Sequence, residues 1–416
     1  MVVVTAHRVS LRKVANTLEE RPPTLAVDLI NLAAQLYAAD RSSRRGRRWV
    51  RQLGVAVEVA DPTPWQAALP CLGTALNKLT DDEWSINLVG ERQPLPEEKQ
   101  PWLLKSREHT LDAVALFSGG LDSFAGAAAW LVEHPDEVLG LVSISSSTVT
   151  GRVQKDLAAV LAACFPERTY HLLIPLNLVD APDVERSQRT RGLVYTATAA
   201  AIAHTAGVER VLIFENGYGA INPRLLEYQE GSQATKSTHP HVVRLLEDSY
   251  RAAGLACRIE LPNLTRTKAE LLRMVPEQLR DVIRLTVSCD SFPLRRKEYK
   301  QCGHCGSCVL RQQALREAGL ASHDRRDYIS SPFLGSKELR HAALMAAQAK
   351  RLSQLTDDFD RAFEQWPEIG LGSEAQLSLD RVAWIDMLRR YGSEWERILA
   401  NDSGLADLLG WTAIYD

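Results

Sequence analysis

Short apolar runs alternate with longer segments of helical periodicity between residues 111 and 290. The apolar runs are rich in Val, Ile and Leu, which favour β-strands, and they are DAVALF (112–117), EVLGLVSI (137–144), TYHLLIPL (169–176), ERVLIFE (209–215) and CRIELP (257–262). The segments between them repeat apolar residues at helical spacing. This alternation predicts an α/β fold, with a doubly wound parallel sheet that helices cover on both faces.

The two ends of the chain show different patterns. Near the start, VDLINLAAQLYAADR has helical spacing, WVRQLGVAVEVAD and EWSINLVGE resemble strands, and Pro-rich breaks separate them. After residue 320, KELRHAALMAAQAKRLSQL and RVAWIDMLRRYG are amphipathic helices. We therefore predict three regions: an N-terminal α+β accessory domain over 1–105, a central domain over 106–320 and a helical C-terminal region over 321–416.

Length, charge and hydropathy restrict the class of protein. A chain of 416 residues is long enough for several domains with their own cores, and its net charge of −3 provides no general attraction to nucleic acid or to an anionic membrane. The N-terminus lacks the apolar core of a signal peptide, and no uninterrupted apolar run approaches eighteen residues. We expect a cytoplasmic protein without a membrane or nucleic-acid partner.

One local exception to the charge balance is the arginine patch, RSSRRGRRWVR (41–51), which holds six arginines. A solvated loop or turn explains such a run most simply. The other interpretation is a docking site for an acidic partner or RNA.

The stretch SGGLDS (118–123) lies between a predicted strand and a predicted helix. A helix N-terminus exposes unpaired N–H groups that attract anions, and Gly119 and Gly120 let the backbone approach a phosphate closely. Ser118 and Ser123 carry hydroxyl donors, and Asp122 suits a Mg²⁺ ion that bridges it to phosphate. The structural alternative is a tight turn with Ser118 as the helix cap.

Four of the seven cysteines lie within twenty residues: Cys289, Cys302, Cys305 and Cys308. Two-residue spacings let thiolates close on one ion, and four thiolates complete a tetrahedral shell for Zn²⁺. Because that shell leaves no open position for water, we predict a structural rather than catalytic zinc. His304 lies between two of these cysteines and is expected to point outward.

SGGLDS after an apolar strand resembles the phosphate loop of the PP-loop ATP pyrophosphatases. The resemblance implies a Rossmann-like nucleotide α-hydrolase fold. It also implies that the loop binds the β- and γ-phosphates while a substrate oxygen attacks the α-phosphate and pyrophosphate leaves. The loop lacks the lysine that the phosphate loops of nucleoside triphosphatases carry. This absence matches the implied chemistry, because the γ-phosphate is not the group that is transferred.

The combination of this loop with SC…CGHCGSCVLR resembles the QueC family of 7-cyano-7-deazaguanine synthases, with Arg311 as the final arginine of the motif. NLTRTKAELLR (263–273) and TRGLVYTATAAAIAHTAG (190–207) resemble two further family segments. The similarity covers 111–318. It implies adenylation of a deazaguanine carboxylate by ATP, with Mg²⁺ and a structural Zn²⁺.

The resemblance also implies site residues. ATP-binding residues would be Ser118, Gly119, Gly120, Leu121, Asp122 and Ser123, and catalytic residues would be Asp122, Arg191 and Lys268. For Arg191 and Lys268 the simpler reading is an ordinary surface side chain. The family pattern is not followed in FENGYGAINP (214–223), where Glu215, Asn216 and Gly217 are candidate deazaguanine-binding residues and Tyr218 a candidate stacking residue. A plain turn is the alternative there.

The extra N-terminal and C-terminal regions resemble the enlarged QueC-like proteins of two anti-phage systems, Qat and type IV CBASS. That resemblance implies a carbon–nitrogen ligase that attaches a deazaguanine to the N-terminal amine of a partner protein. The alternative is a synthase that makes the free nitrile from 7-carboxy-7-deazaguanine, ammonia and ATP. Two further hypotheses are a tRNA-modifying PP-loop enzyme, which the acidic charge disfavours, and a non-catalytic zinc-containing interaction module.

Overall fold

The computed structural model describes residues 20–47, 49–90, 92–95, 98, 111–145, 147–176, 184–225, 235–292, 301–324, 328–370 and 380–410. The strands in this part of the chain are β1 Gln52–Glu58, β2 Glu83–Val89, β3 Ala113–Leu116, β4 Leu139–Ser145, β5 Thr169–Pro175, β6 Arg210–Leu212 and β7 Arg258–Glu260. The α-helices are α1 Thr24–Ser42, α2 Thr63–Thr80, α3 Leu121–Glu133, α4 Thr148–Cys164, α5 Arg191–Thr205, α6 Gly217–Ile221, α7 Pro240–Ala252, α8 Lys268–Arg273, α9 Gly306–Glu317, α10 Arg340–Ser353, α11 Phe359–Gln365, α12 Pro367–Gly370, α13 Arg381–Asn401 and α14 Ser403–Leu408. Short 3-10 helices cover Glu277–Leu285, Ala321–His323 and Pro332–Leu334.

The chain folds into two compact units that do not follow chain order. Unit 1 comprises Met1–Ser118, His134–Ile213 and Gly231–Leu261. Unit 2 comprises Gly119–Glu133, Phe214–Glu230 and Pro262–Asp416. The three domain ranges expected from the sequence remain a prediction.

Unit 1 contains the main sheet, whose five strands are all parallel and lie in the order β5-β4-β3-β6-β7. All seven residues of β4 are buried, as expected for a central strand of a parallel sheet that is covered on both faces. The predicted mixed α/β fold with a parallel sheet is thereby confirmed. From β3 the connections run outward to β4 and β5 on one side, and from β6 to β7 on the other. The boundary between β3 and β6 is therefore a topological switch point, where α/β proteins usually bind ligands.

Unit 1 also holds a second, two-stranded parallel sheet formed by β1 and β2. The sequence pattern does not predict α2, the helix that joins them, because this helix begins inside the Pro-rich stretch DPTPW (61–65). Pro64 lies in the first turn of that helix, where a missing N–H is tolerated. In the same unit α1 packs on α5 and α2 packs on α7, so these elements share one hydrophobic core with the main sheet.

The arginine patch is not the solvated loop that its composition indicates. Arg51 is 8 % exposed and its Nη2 lies 2.6 Å from Asp40 Oδ1 and 2.5 Å from Asp82 Oδ2. Arg45 donates through Nη1 and Nη2 to the two Asp82 oxygens, each at 3.0 Å. Arg41 is also buried. The interpretation as a solvated loop is therefore wrong for these three arginines, of which Arg45 and Arg51 lie inside a network of buried charges.

The remaining arginines of the patch differ from these three. Arg44 and Arg47 are exposed, and Arg48 lies outside the described residues. The network itself reaches the start of α5, because Asp40 Oδ2 accepts hydrogen bonds from Thr190 N at 3.1 Å and Thr190 Oγ1 at 2.8 Å. Asp40 thus fixes the residue before Arg191.

Unit 2 is mainly helical and confirms the predicted helical C-terminal region. Helices α10 and α13 pack against each other along their length. Their amphipathic faces meet in a core that contains Trp384, Tyr391 and Trp395, each at most 1 % exposed.

None of the helices in the described part of the chain is both long and apolar enough to cross a membrane.

The Asp82→Ala variant should be strongly destabilised. It removes the shared carboxylate and leaves the guanidinium groups of Arg45 and Arg51 buried with less charge compensation. Breaking a buried ion pair from one side costs about 3–5 kcal/mol. Urea unfolding should show a loss of this size, while Asp136→Ala, at an exposed position, should change the unfolding free energy by no more than about 0.5 kcal/mol. If the two variants have equal unfolding free energies, the buried charge network around Asp82 does not stabilise the fold as described.

Candidate active site

Residues Gly119–Ser123 form the end of the SGGLDS motif and the start of α3 in unit 2. Gly119 has a φ of 80°, a conformation that glycine adopts without strain. Its carbonyl accepts a hydrogen bond from Val287 N at 3.0 Å. Leu121 is fully buried, and the Ser123 hydroxyl donates to Gly120 O at 3.0 Å. The backbone is thus held on both sides of Asp122, and the Ser123 hydroxyl is engaged with the loop itself.

Ser118, the preceding residue, is the last residue of the unit 1 segment that contains β3. Its carbonyl accepts a hydrogen bond from the Gln154 amide at 3.2 Å. The predicted turn between strand and helix is therefore present.

Asp122 is the centre of a polar cluster in unit 2. Its Oδ1 accepts a hydrogen bond from Asn216 Nδ2 at 3.0 Å, and its Oδ2 is paired with Lys268 Nζ. The Lys268 side chain is 6 % exposed and that of Asp122 15 %. The structure therefore brings together three of the residues singled out in the sequence, from three distant segments.

Asn216 uses its whole side chain to hold this cluster. Its Oδ1 accepts a hydrogen bond from Gly219 N at 3.0 Å and so caps α6. Its Nδ2 donates to Asp122 Oδ1 and to Glu215 Oε1, both at 3.0 Å. Since Asn216 is fully buried, it orients the two carboxylates, and its amide has no remaining hydrogen to donate to a base.

Gly217 is needed because the backbone of the neighbouring segment comes very close. Gly217 N donates to Arg266 O at 2.9 Å, and a Cβ on Gly217 would lie 2.1 Å from Leu264 O. Any side chain would push the two segments apart. Gly217 thus packs against the turn that leads into Lys268.

The Glu215 carboxyl group lies close to the Asp122 carboxylate, because Asn216 Nδ2 donates a hydrogen bond to both. Burial and the negative charge of Asp122 raise the pKa of Glu215 from 4.5 to about 8, although the Lys268 ammonium opposes this shift. Glu215 is therefore mainly protonated at neutral pH, and the cluster is close to neutral: one carboxylate, one ammonium and one carboxylic acid.

Lys268 occupies the first position of α8, and a capping box fixes the start of that helix. Thr267 Oγ1 accepts a hydrogen bond from Glu270 N at 3.1 Å, and Glu270 Oε2 accepts one from Thr267 N at 2.9 Å. The pair satisfies two N–H groups of the first turn, so the direction of Lys268 is well defined.

The cluster suits a phosphate group with a cationic partner. The ammonium of Lys268 can balance phosphate charge next to the N-terminus of α3. Asp122 also offers carboxylate oxygens of the kind that Mg²⁺ takes as ligands. A Mg²⁺ ion bound by Asp122 would compete with Lys268 for the same carboxylate and would supply charge neutralisation on the phosphates.

Two other predicted residues have different surroundings. Arg191 lies at the start of α5 in unit 1, where its Nη1 donates to Gln188 Oε1 at 3.2 Å and its guanidinium lies over the Tyr195 ring. Tyr218 is 5 % exposed and stacks on Tyr391 with ring centroids 3.9 Å apart. The expectation that Tyr218 stacks on a substrate base is therefore wrong, because its ring is already covered.

The four cysteines form the predicted cluster. The sulfur atoms of Cys289, Cys302, Cys305 and Cys308 all lie within 4.8 Å of one another, and those of Cys302 and Cys308 are 3.9 Å apart. Zinc–sulfur bonds of about 2.3 Å at tetrahedral angles place sulfurs about 3.8 Å apart. The donor set and spacing therefore fit Zn²⁺. His304 lies outside the cluster, with its Nδ1 2.7 Å from Glu338 Oε2, as expected for an outward-pointing side chain.

Arg311 connects the cysteine cluster to the segment that contacts the loop. It is fully buried on α9, and it donates to Thr286 Oγ1 at 2.7 Å, Ile283 O at 2.8 Å and Asp324 Oδ1 at 2.9 Å. These bonds hold the chain just before Val287, whose N–H meets Gly119 O. The final arginine of the cysteine motif is thus a structural residue.

One family model matches the chain: the QueC family, described as queuosine biosynthesis protein QueC, over residues 190–319. This segment contains Arg191, Glu215, Asn216 and Lys268 together with all four cysteines, and it begins after the phosphate loop. The match supports a QueC-like relationship over that segment. No curated protein matches the chain.

Zinc content and stability should fall together in Cys305→Ser. A hydroxyl is a poor replacement for a thiolate ligand, and metal binding in such sites contributes directly to the folding free energy. Elemental analysis of purified protein should give about one zinc per chain, with loss of most of it in the variant. Cys164→Ser, at an exposed cysteine, should keep the metal. Full zinc content in Cys305→Ser would refute the assignment of this ligand.

The raised pKa of Glu215 predicts a defined pH dependence of stability. Because the folded state favours the protonated form, the contribution of Glu215 is complete below pH 4.5 and is lost as the pH rises through about 8. Glu215→Gln should therefore make the unfolding free energy fall less steeply between pH 5 and about 8 than in the wild type. Urea unfolding at several pH values measures this slope.

The exposed residue Glu209 gives the control for that experiment. Glu209→Gln should leave the slope of the wild type unchanged. If Glu215→Gln also leaves it unchanged, Glu215 does not have the perturbed environment described above.

Proposed function

We propose that the protein is an ATP-using enzyme that adenylates a 7-deazaguanine carboxylate and transfers the resulting acyl group to an amine. The observation that carries this proposal is the pairing of Lys268, inside the segment that matches the QueC family, with Asp122 of the SGGLDS motif. The family match points to ATP-dependent deazaguanine chemistry, and the motif supplies a loop suited to phosphates.

In the first step, a carboxylate oxygen of the substrate attacks the α-phosphorus of ATP. The new bond joins that oxygen to phosphorus, while the bond from the α-phosphorus to the α,β-bridging oxygen breaks and pyrophosphate leaves with that oxygen. The N–H groups at the start of α3 and the ammonium of Lys268 stabilise the charge on the phosphates. Asp122 pairs with Lys268, and Asn216 in turn holds the Asp122 carboxylate.

In the second step, an amine attacks the carbonyl carbon of the acyl adenylate. A carbon–nitrogen bond forms, AMP leaves with the former carboxylate oxygen, and the amine loses a proton. Glu215 lies beside Asp122 and is the candidate for contacts to the deazaguanine ring, because its carboxylic acid can both donate and accept hydrogen bonds. The resemblance also assigns Ser118 to ATP binding and Arg191 to catalysis; both roles remain predictions.

For the acceptor we propose the N-terminal amine of a partner protein, in an anti-phage defence system. The support is the large part of the chain outside the matched segment, residues 1–189 and 320–416, which includes a second sheet in unit 1 and the α10–α14 helices in unit 2. Ammonia, giving an amide and then the free nitrile, is the alternative acceptor.

Replacement of Lys268 tests the adenylation step. With ATP and 7-carboxy-7-deazaguanine, the wild type should release pyrophosphate, and Lys268→Met should slow this release by about 100-fold or more because the phosphate charge loses its buried cation. Lys155→Met, at an exposed lysine of α4, should retain full activity. Unchanged release in Lys268→Met would remove Lys268 from the mechanism, and no release by the wild type would refute the proposed reaction.

The two acceptors can be distinguished when the proteins encoded beside this one are added to the same reaction mixture. Mass spectrometry of proteins encoded beside this one should detect one carrying the added mass of a deazaguanine acyl group at its N-terminus. Accumulation of the free nitrile, with no modified protein, would favour the biosynthetic alternative.

A further inference from the structure

Helix α13 presents one of its faces to the polar cluster within unit 2. The residues on that face are Met387, Arg390, Tyr391 and Glu394, whose spacing of three, four and seven places them side by side on a helix. All four lie beyond residue 319, where the family match ends.

Glu394 is attached to the start of α8. Its Oε1 accepts a hydrogen bond from Thr267 Oγ1 at 2.5 Å, and its Oε2 accepts one from Gln313 Nε2 at 3.0 Å. All three side chains are at most 2 % exposed. Burial raises the pKa of Glu394 to about 7, because the charged form of this carboxyl group is disfavoured in its buried position. Thr267 is the cap residue directly before Lys268.

Arg390 lies four residues before Glu394 on α13 and contacts the same segment at the start of α8. Its Nε donates to Glu270 Oε1 at 2.7 Å, and its Nη2 donates to Thr265 O at 2.8 Å. Glu270 is the other member of the capping box of α8. Arg390 and Glu394 therefore each contact one of the two residues that fix the direction of Lys268.

The other two residues on this face contact the turn that carries Asn216. Tyr391 stacks on Tyr218, and the methyl group of Met387 would lie 2.5 Å from a Cβ placed on Gly217. One rigid helix thus packs against both turns whose side chains converge on Asp122.

We propose that Glu394 and Arg390 are positioning residues that hold the N-terminus of α8 so that Lys268 reaches Asp122. On this view the C-terminal region completes the site, although it lies outside the matched segment. The role in catalysis rests on the proposed function, but the geometric claim has a test that needs no substrate.

The test measures the coupling between Asp122 and Lys268 with a double-mutant cycle in urea unfolding. Asp122→Asn and Lys268→Met are combined in the wild type and in the Glu394→Ala background. If Glu394 positions Lys268, the coupling should fall by about half or more in that background, because a misdirected ammonium no longer interacts optimally with the carboxylate.

Two backgrounds serve as controls. Glu394→Gln should retain the coupling, since its amide oxygen can still accept from Thr267 and its NH₂ group can donate to Gln313 Oε1, a buried atom without a hydrogen-bond partner among the described residues. Glu396→Ala should also retain it, because Glu396 is on the same helix but accepts a hydrogen bond from Ser353 Oγ of α10, at 2.6 Å, rather than from the α8 turn.

The outcomes show whether Glu394 positions Lys268 or only contributes to the packing of α13. A loss of stability in Glu394→Ala with an undiminished coupling would overturn the proposal. If that variant does not fold, Arg390→Met at a partly exposed position replaces it, with the same expected loss of coupling and the same contrary result. In the pyrophosphate assay, Glu394→Ala should lower kcat more than it changes KM for the deazaguanine. A wild type that releases no pyrophosphate would refute the proposed function and leave the coupling result standing.

Discussion

The interaction on which the site depends is the ion pair between Asp122 and Lys268. Both side chains are largely buried, and a charge in such surroundings is tolerated only with a partner and further hydrogen bonds. Asn216 supplies one of those bonds to Asp122 and another to Glu215. The positions of the SGGLDS loop, the α6 turn and the α8 turn therefore depend on one another.

The cysteine cluster and the phosphate loop share one support. Arg311 ties α9, which begins just after Cys305, to the backbone before Val287, and Val287 N–H binds the carbonyl of Gly119. The four sulfurs thus stabilise the region that meets the loop at Gly119. The cysteine cluster, whose donor set fits Zn²⁺, is thus connected through Arg311 to the same unit as the polar cluster.

Within unit 1, the N-terminal segment is joined to the main sheet by buried charge as well as by apolar packing. Asp40 and Asp82 neutralise arginines of the patch, and Asp40 also binds Thr190 at the start of α5. Such a network demands accurate partners, since each charge left unpaired would be costly. Arg191 follows directly after Thr190, so the placement of a predicted catalytic residue depends on the N-terminal segment of the same unit.

The sequence by itself determined the local features. Periodicity predicted β3 to β7, the parallel sheet and the long helices α10 and α13, because strand and helix patterns are set by nearby residues. The spacing of the cysteines identified their cluster for the same reason. Only the tertiary structure decided the contacts between distant segments. The burial of Arg45 and Arg51, the covered ring of Tyr218, and the contacts of Arg390 and Glu394 with the α8 turn involve partners that no local pattern marks. Thr267 and Glu394 are 127 positions apart, and packing of the folded chain alone brings them together.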